Sequence, residues 1–78
     1  MNTVKERCAK VIAEIMDVDI SVINDDTSPD NLDQWDSLSH VQLVLGLERE
    51  FGIKISPEEG IEYLINFRAI VEFIGGKS

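Results

Sequence analysis

The sequence predicts an all-α chain of four helices, with a long loop between the first and second and a short third helix. Three observations carry this. Apolar residues recur at helical spacing in separate segments. Capping residues punctuate those segments at their ends. No strand-like alternation competes, because Ile53-Lys54-Ile55 is too short to build a sheet. At 78 residues and 44% hydrophobic composition, one domain spanning 1–78 is expected, with a modest core and little room for a deep catalytic cleft.

Residues 3–16 form the first amphipathic segment. Val4, Cys8, Val11 and Ile15 fall in a narrow stripe with Ile12 beside it, while Lys5, Glu6, Lys10 and Glu14 face away. Residues 17–35 hold no sustained period. They are rich in turn and cap residues, including Asp17, Asp19, Asn24, Asp25, Asp26, Ser28 and Pro29. A structureless stretch of this length is uncommon in a compact domain. Val18, Ile20, Val22, Ile23 and Leu32 are therefore expected to pin it to the core, with a short helical turn near Ile20–Asn24.

The second helix is expected over 37–51, with Asp36 as N-cap and Gly52 as its left-handed C-terminal residue. It has two apolar faces. Leu43, Val44, Leu47 and Phe51 share one arc, and Leu38, Val41 and Leu45 share another nearly opposite. One face serves the core; the other is left for a partner or for packing under the 17–35 loop. Ser56-Pro57-Glu58-Glu59 opens the third helix as a capping box with proline at its first position, fading near 63–65. Asn66 caps the fourth, where Phe67, Ile70, Val71 and Ile74 share a face and Gly75-Gly76 is expected to stop it.

The charge excludes some functions. Fifteen acids against seven bases give −8, and residues 17–36 alone hold seven aspartates and no base. Nucleic acid and anionic membranes are poor partners for such a surface, and basic protein surfaces are good ones. A lone cysteine excludes a disulfide framework and, with no export signal or long apolar run, points to the cytoplasm. Cys8 itself reads as a small core residue. A calcium loop counted from Asp17 fails, because Val22 and Ser28 stand where glycine and glutamate are needed. No metal site is expected.

Ser37 is the candidate functional residue. A serine at a helix start is exposed beside free backbone N–H groups and partial positive charge, which suits an attached phosphate. No nucleophile–base constellation accompanies it, so attachment rather than catalysis is indicated. His40 reads as a satisfied, partly buried side chain; Trp35 reads first as an anchor for the loop and alternatively as a shield for an attached group or a contact for an enzyme.

Asp36-Ser37-Leu38, followed by Val41, Leu43, Leu47-Glu48, Phe51 and Ile53-Lys54-Ile55-Ser56, resembles an acyl carrier protein over nearly the whole chain. The resemblance implies an up-and-down four-helix bundle and a non-enzymatic, monomeric carrier. It implies 4′-phosphopantetheine on Ser37, placed by a phosphopantetheinyl transferase from coenzyme A. It further implies that Asp36, Leu38, Val41, Leu45 and Glu48 face synthase, acyl-loading and acyltransferase enzymes with basic docking patches. Val44, Leu47, Ile55, Tyr63 and Ile65 would line a cavity for the acyl chain.

Three helix positions, Ser39, Gln42 and Arg49, depart from the acids common in carriers of primary bacterial fatty acid synthesis. Leu32-Asp33-Gln34-Trp35-Asp36 replaces a glycine-rich approach. The resemblance implies service in fatty acid, polyketide or specialised lipid synthesis. These departures fall at placements that select partners, and point away from the primary fatty acid carrier to a dedicated one for polyketide, modified-lipid or aminoacyl transfer. The rival from another class is an unmodified helical adaptor that docks through Leu38, Val41 and Leu45.

Overall fold

The computed structural model describes residues 3–77 and contains four α-helices: α1 (Val4–Met16), α2 (Ser37–Phe51), α3 (Pro57–Glu62) and α4 (Phe67–Lys77). A single 3-10 turn, Ile20–Val22, interrupts the long α1–α2 loop, and no strand occurs among the described residues. This is the expected all-α fold, with the short third helix in place. α1 packs against both α2 and α4.

Cap chemistry sets the helix ends. Thr3 and Glu6 form a reciprocal capping box at α1, and Ser56 and Glu59 form another at α3 with Pro57 leading the helix. Gly52 closes α2 at φ 63°, a left-handed conformation that glycine adopts without a Cβ penalty.

The core is built from Cys8, Ile12 and Met16 of α1, Leu43 and Leu47 of α2, and Leu64, Phe67, Ile70 and Ile74 around α4. Leu32, Trp35 and Ile55 join it from the connecting segments. On α1 the buried face is rotated from the expected stripe. Cys8, Ala9, Ile12, Ala13 and Met16 are buried, whereas Val4, Val11 and Ile15 are only partly so. The small alanines suit a helix that must meet two neighbours at once. Gly46 of α2 contributes to the same packing: a Cβ there would lie 3.2 Å from Val11 Cγ1. Burial pushes the Cys8 thiol up to about 11, which leaves it protonated and inert near neutral pH.

The loop is held differently from expectation. Ile20 and Val22 are exposed; Ile23, one 3-10 turn beyond Ile20, is the member of that column that reaches the core. Polar groups do much of the pinning. Buried Thr27 accepts the Asn24 N–H at 2.9 Å through its hydroxyl, and its carbonyl accepts the Phe67 N–H at 2.8 Å. Asn31 accepts from Ser28 N–H and donates to the Asp26 carbonyl. Asx-type bonds of this kind stand in for regular secondary structure.

α4 does not stop at Gly75-Gly76 but runs through Lys77. A helical glycine costs only about 1 kcal/mol against alanine. Lys77 offsets some of this by pairing with Glu59 at 3.3 Å and lying over the Phe73 ring.

Candidate functional site

Asp36 positions the start of α2. Its extended backbone ends the loop, and its carboxylate Oδ1 accepts the Ser39 N–H at 2.9 Å. That backbone hydrogen bond holds the Asp36 carboxyl below the usual carboxylate range. A depressed folded-state pKa means the cap stabilises the helix above the ordinary aspartate range and is lost as pH falls through the lowered value. Asp36→Asn keeps an acceptor but cannot titrate. Thermal melts across an acid series should therefore show a shallower acid decline for the variant; superimposable pH profiles would remove Asp36 from that role.

Ser37 is the first residue of α2 and is exposed. Its hydroxyl makes no hydrogen bond among the described residues. It borders a groove of about 650 Å³ whose walls are Trp35 and His40 on one side and Ile61, Leu64 and Ile65 on the other. The remaining first-turn N–H groups point out at the same helix end.

A relay of hydrogen bonds fixes this groove. Trp35 is 2% exposed, and its indole N–H donates to His40 Nδ1 at 3.0 Å. An indole can only donate, so His40 Nδ1 is the acceptor and the ring proton sits on Nε2. Nε2–H then donates to the Gly60 carbonyl at 2.9 Å. One chain of bonds thus ties the loop to α2 and α2 to α3. Both His40 nitrogens are occupied, which leaves no general base for Ser37. Trp35 is the expected anchor and His40 the expected satisfied histidine, although their direct bond was not legible from spacing alone.

The second apolar stripe of α2 is open to solvent. Leu38 is 70% exposed, Val41 58% and Leu45 55%, so none packs under the loop. Ile61 of α3, at 77%, adds an apolar group beside the same site; its only sequence signal was an isoleucine between glycine and glutamate in a short acidic helix. Glu48 is half-buried, and its Oε2 accepts the Ile55 N–H at 2.8 Å.

The five expected cavity residues do not share a cavity. Leu47 and Ile55 are buried in the core, but Tyr63 is exposed and stacks on Phe73 at 5.2 Å. Ile65 borders the Ser37 groove and also shares a second, outer groove with Tyr63 and Phe73. Val44 approaches α3 closely, with Cγ2 3.3 Å from where a Gly60 Cβ would sit. Among the described residues, no three His, Cys, Asp or Glu side chains gather as metal ligands would.

A family model described as a phosphopantetheine attachment site matches residues 7–74. The chain belongs to the phosphopantetheine-binding acyl carrier family. It is 37% identical, over 100% of its own length and 96% of the relative's, to an acyl carrier protein of Buchnera aphidicola subsp. Acyrthosiphon pisum (strain 5A). It is 32% identical, over 100% and 98%, to an acyl carrier protein of Buchnera aphidicola subsp. Schizaphis graminum (strain Sg). Members of this acyl carrier family are carriers rather than enzymes, and their prosthetic group is 4′-phosphopantetheine. An exposed, unbonded hydroxyl at a helix start beside an open groove fits such a group. No described helix is long and apolar enough to cross a membrane.

Proposed function

We propose that Ser37 carries 4′-phosphopantetheine and that this chain, a single carrier domain, delivers acyl groups between enzymes of fatty acid, polyketide or specialised lipid synthesis in the cytoplasm. The observation that carries the reading is the Ser37 hydroxyl, exposed, unbonded and placed at the start of α2. A phosphopantetheinyl transferase reaches it from solvent and transfers the group from coenzyme A. When bound, the group supplies a thiol that holds cargo as a thioester. The protein's own part is to present the serine, keep the α2 terminus capped through Asp36 and offer a docking face.

That face comprises Asp36, Leu38, Val41 and Leu45, with Glu48 at its edge. The adaptor alternative explains the stripe but not the match to a phosphopantetheine attachment family over residues 7–74. Intact mass after incubation with coenzyme A, magnesium and a broad-specificity phosphopantetheinyl transferase tests the reading. A gain of one phosphopantetheine group is expected; no gain under conditions that modify a known carrier would favour the adaptor.

The docking face makes a separate prediction. Val41 is more than half exposed, so Val41→Asp should leave stability within about 0.5 kcal/mol, as for surface substitutions generally. Transferase efficiency should nevertheless fall markedly, because a charge enters an apolar contact. A large drop in melting temperature would instead place Val41 in the core.

A further inference from the structure

The docking stripe of α2 carries an unusual arrangement of charge. No Asp, Glu, Lys or Arg falls between Ser37 and Glu48. The two acids farther along α2 are engaged within the fold. Glu48 accepts the Ile55 N–H, and Glu50 pairs with Arg7 at 2.9 Å. Arg49 differs: it is exposed, and its side chain forms no ion pair or hydrogen bond among the described residues. It lies one turn beyond Leu45, so Leu38, Val41, Leu45 and Arg49 follow one another along the same side of the helix. Exposed acids lie at the opposite end, on the loop ahead of Ser37: Asp30 and Asp33, whose carboxylates form no bond among the described residues, and the capping Asp36.

A cation in the last turn is also favoured by the helix dipole. That explains a positive charge at the end of α2 but not its alignment with the only solvent-open apolar stripe of that helix. Arg49 also borders a shallow α1–α2 groove with Glu14, yet the two form no ion pair.

We propose that a phosphopantetheinyl transferase docks on this stripe with charge of opposite sign at its two ends: basic groups opposite Asp30, Asp33 and Asp36, and a carboxylate opposite Arg49. The inference rests on the carrier reading and adds the sign and place of the second contact. At about 1.5 Å per residue, that carboxylate stands about 18 Å along the helix from Ser37. An apolar groove lies between the two charged ends to receive Leu38, Val41 and Leu45. Such an arrangement fixes the direction in which the helix lies on its partner, because reversing it would set like charges together at both ends.

The test uses the full chain and the transferase that modifies it, with kcat and KM for the carrier measured at low and high salt. Arg49→Glu should raise KM about tenfold with kcat unchanged, since an attractive contact becomes a repulsive one. Arg49→Lys should stay near the unaltered protein, and the Arg49→Glu defect should shrink at high salt. Lys54→Glu, a charge reversal beyond the end of α2, should have little effect. Circular dichroism melts confirm that each variant is folded. Equal or faster modification of Arg49→Glu, or a defect in kcat alone, overturns the proposal. End-point mass with excess transferase separates this from the carrier reading: full modification of all variants leaves attachment intact, whereas an unmodified parent chain sinks the carrier reading itself.

Discussion

Ser37→Ala should abolish attachment of the prosthetic group completely while leaving the fold unchanged. The variant removes one exposed hydroxyl that has no hydrogen bond among the described residues, so no buried partner is orphaned and no cavity opens. Alanine is also a good first-turn residue. The Asp36 cap acts through the Ser39 N–H rather than through Ser37, so it survives the substitution. A change in stability below about 0.5 kcal/mol is expected, as for surface sites without special contacts. The two readouts are intact mass after exposure to transferase and coenzyme A, and the thermal melt. Mass gain in the variant would place attachment at another residue. Two other serines at helix starts offer weaker cases: Ser39 is half-buried in the first turn of α2, and Ser56 is committed as the α3 N-cap. A variant that fails to fold would show that Ser37 has a structural role its exposure does not reveal.

Much of this architecture was legible because its signals are local. Ser56-Pro57-x-Glu59 specifies a helix start through two reciprocal hydrogen bonds, and both form. Asp36 and Gly52 bracket α2 for equally local reasons. The exposed stripe of Leu38, Val41 and Leu45 followed from one helix having more apolar faces than a small core can use. What escaped the sequence depends on contacts between segments. The α1 face is set by simultaneous packing on α2 and α4, and a helical wheel contains no information about two neighbours. The loop is pinned by Thr27 and Asn31 as much as by apolar residues, so counting hydrophobic positions credited Ile20 and Val22 with burial they lack. Gly75-Gly76 reads as a stop, but the Lys77–Glu59 pair joins α4 to α3 across the fold. Tyr63 and Ile65 share an outer groove while Leu47 and Ile55 are buried in the core, and that division between inner and outer residues has no sequence signature.

Trp35→Ala should be the most destabilising single change near the site. Truncating a buried tryptophan costs about 3–5 kcal/mol, against a total of about 5–15 kcal/mol for whole domains. Here the substitution empties a core position directly before the α2 cap and leaves His40 Nδ1 without its donor. Trp35→Phe separates the two effects: it keeps most of the ring volume but leaves a part-buried acceptor unpaired, a loss of about 1–3 kcal/mol. His40→Leu breaks the same bond from the other side and also frees the Gly60 carbonyl. If the relay couples loop, α2 and α3, the double variant should be less destabilised than the sum of the singles by about 0.5–3 kcal/mol. Chemical denaturation of the four proteins in the cycle measures this. Strict additivity would reduce Trp35 to a packing residue and remove His40 as the link to α3. Coupling would show that the wall of the Ser37 groove is held by the bond between Trp35 and His40, and that loosening it loosens the ground on which the serine is presented.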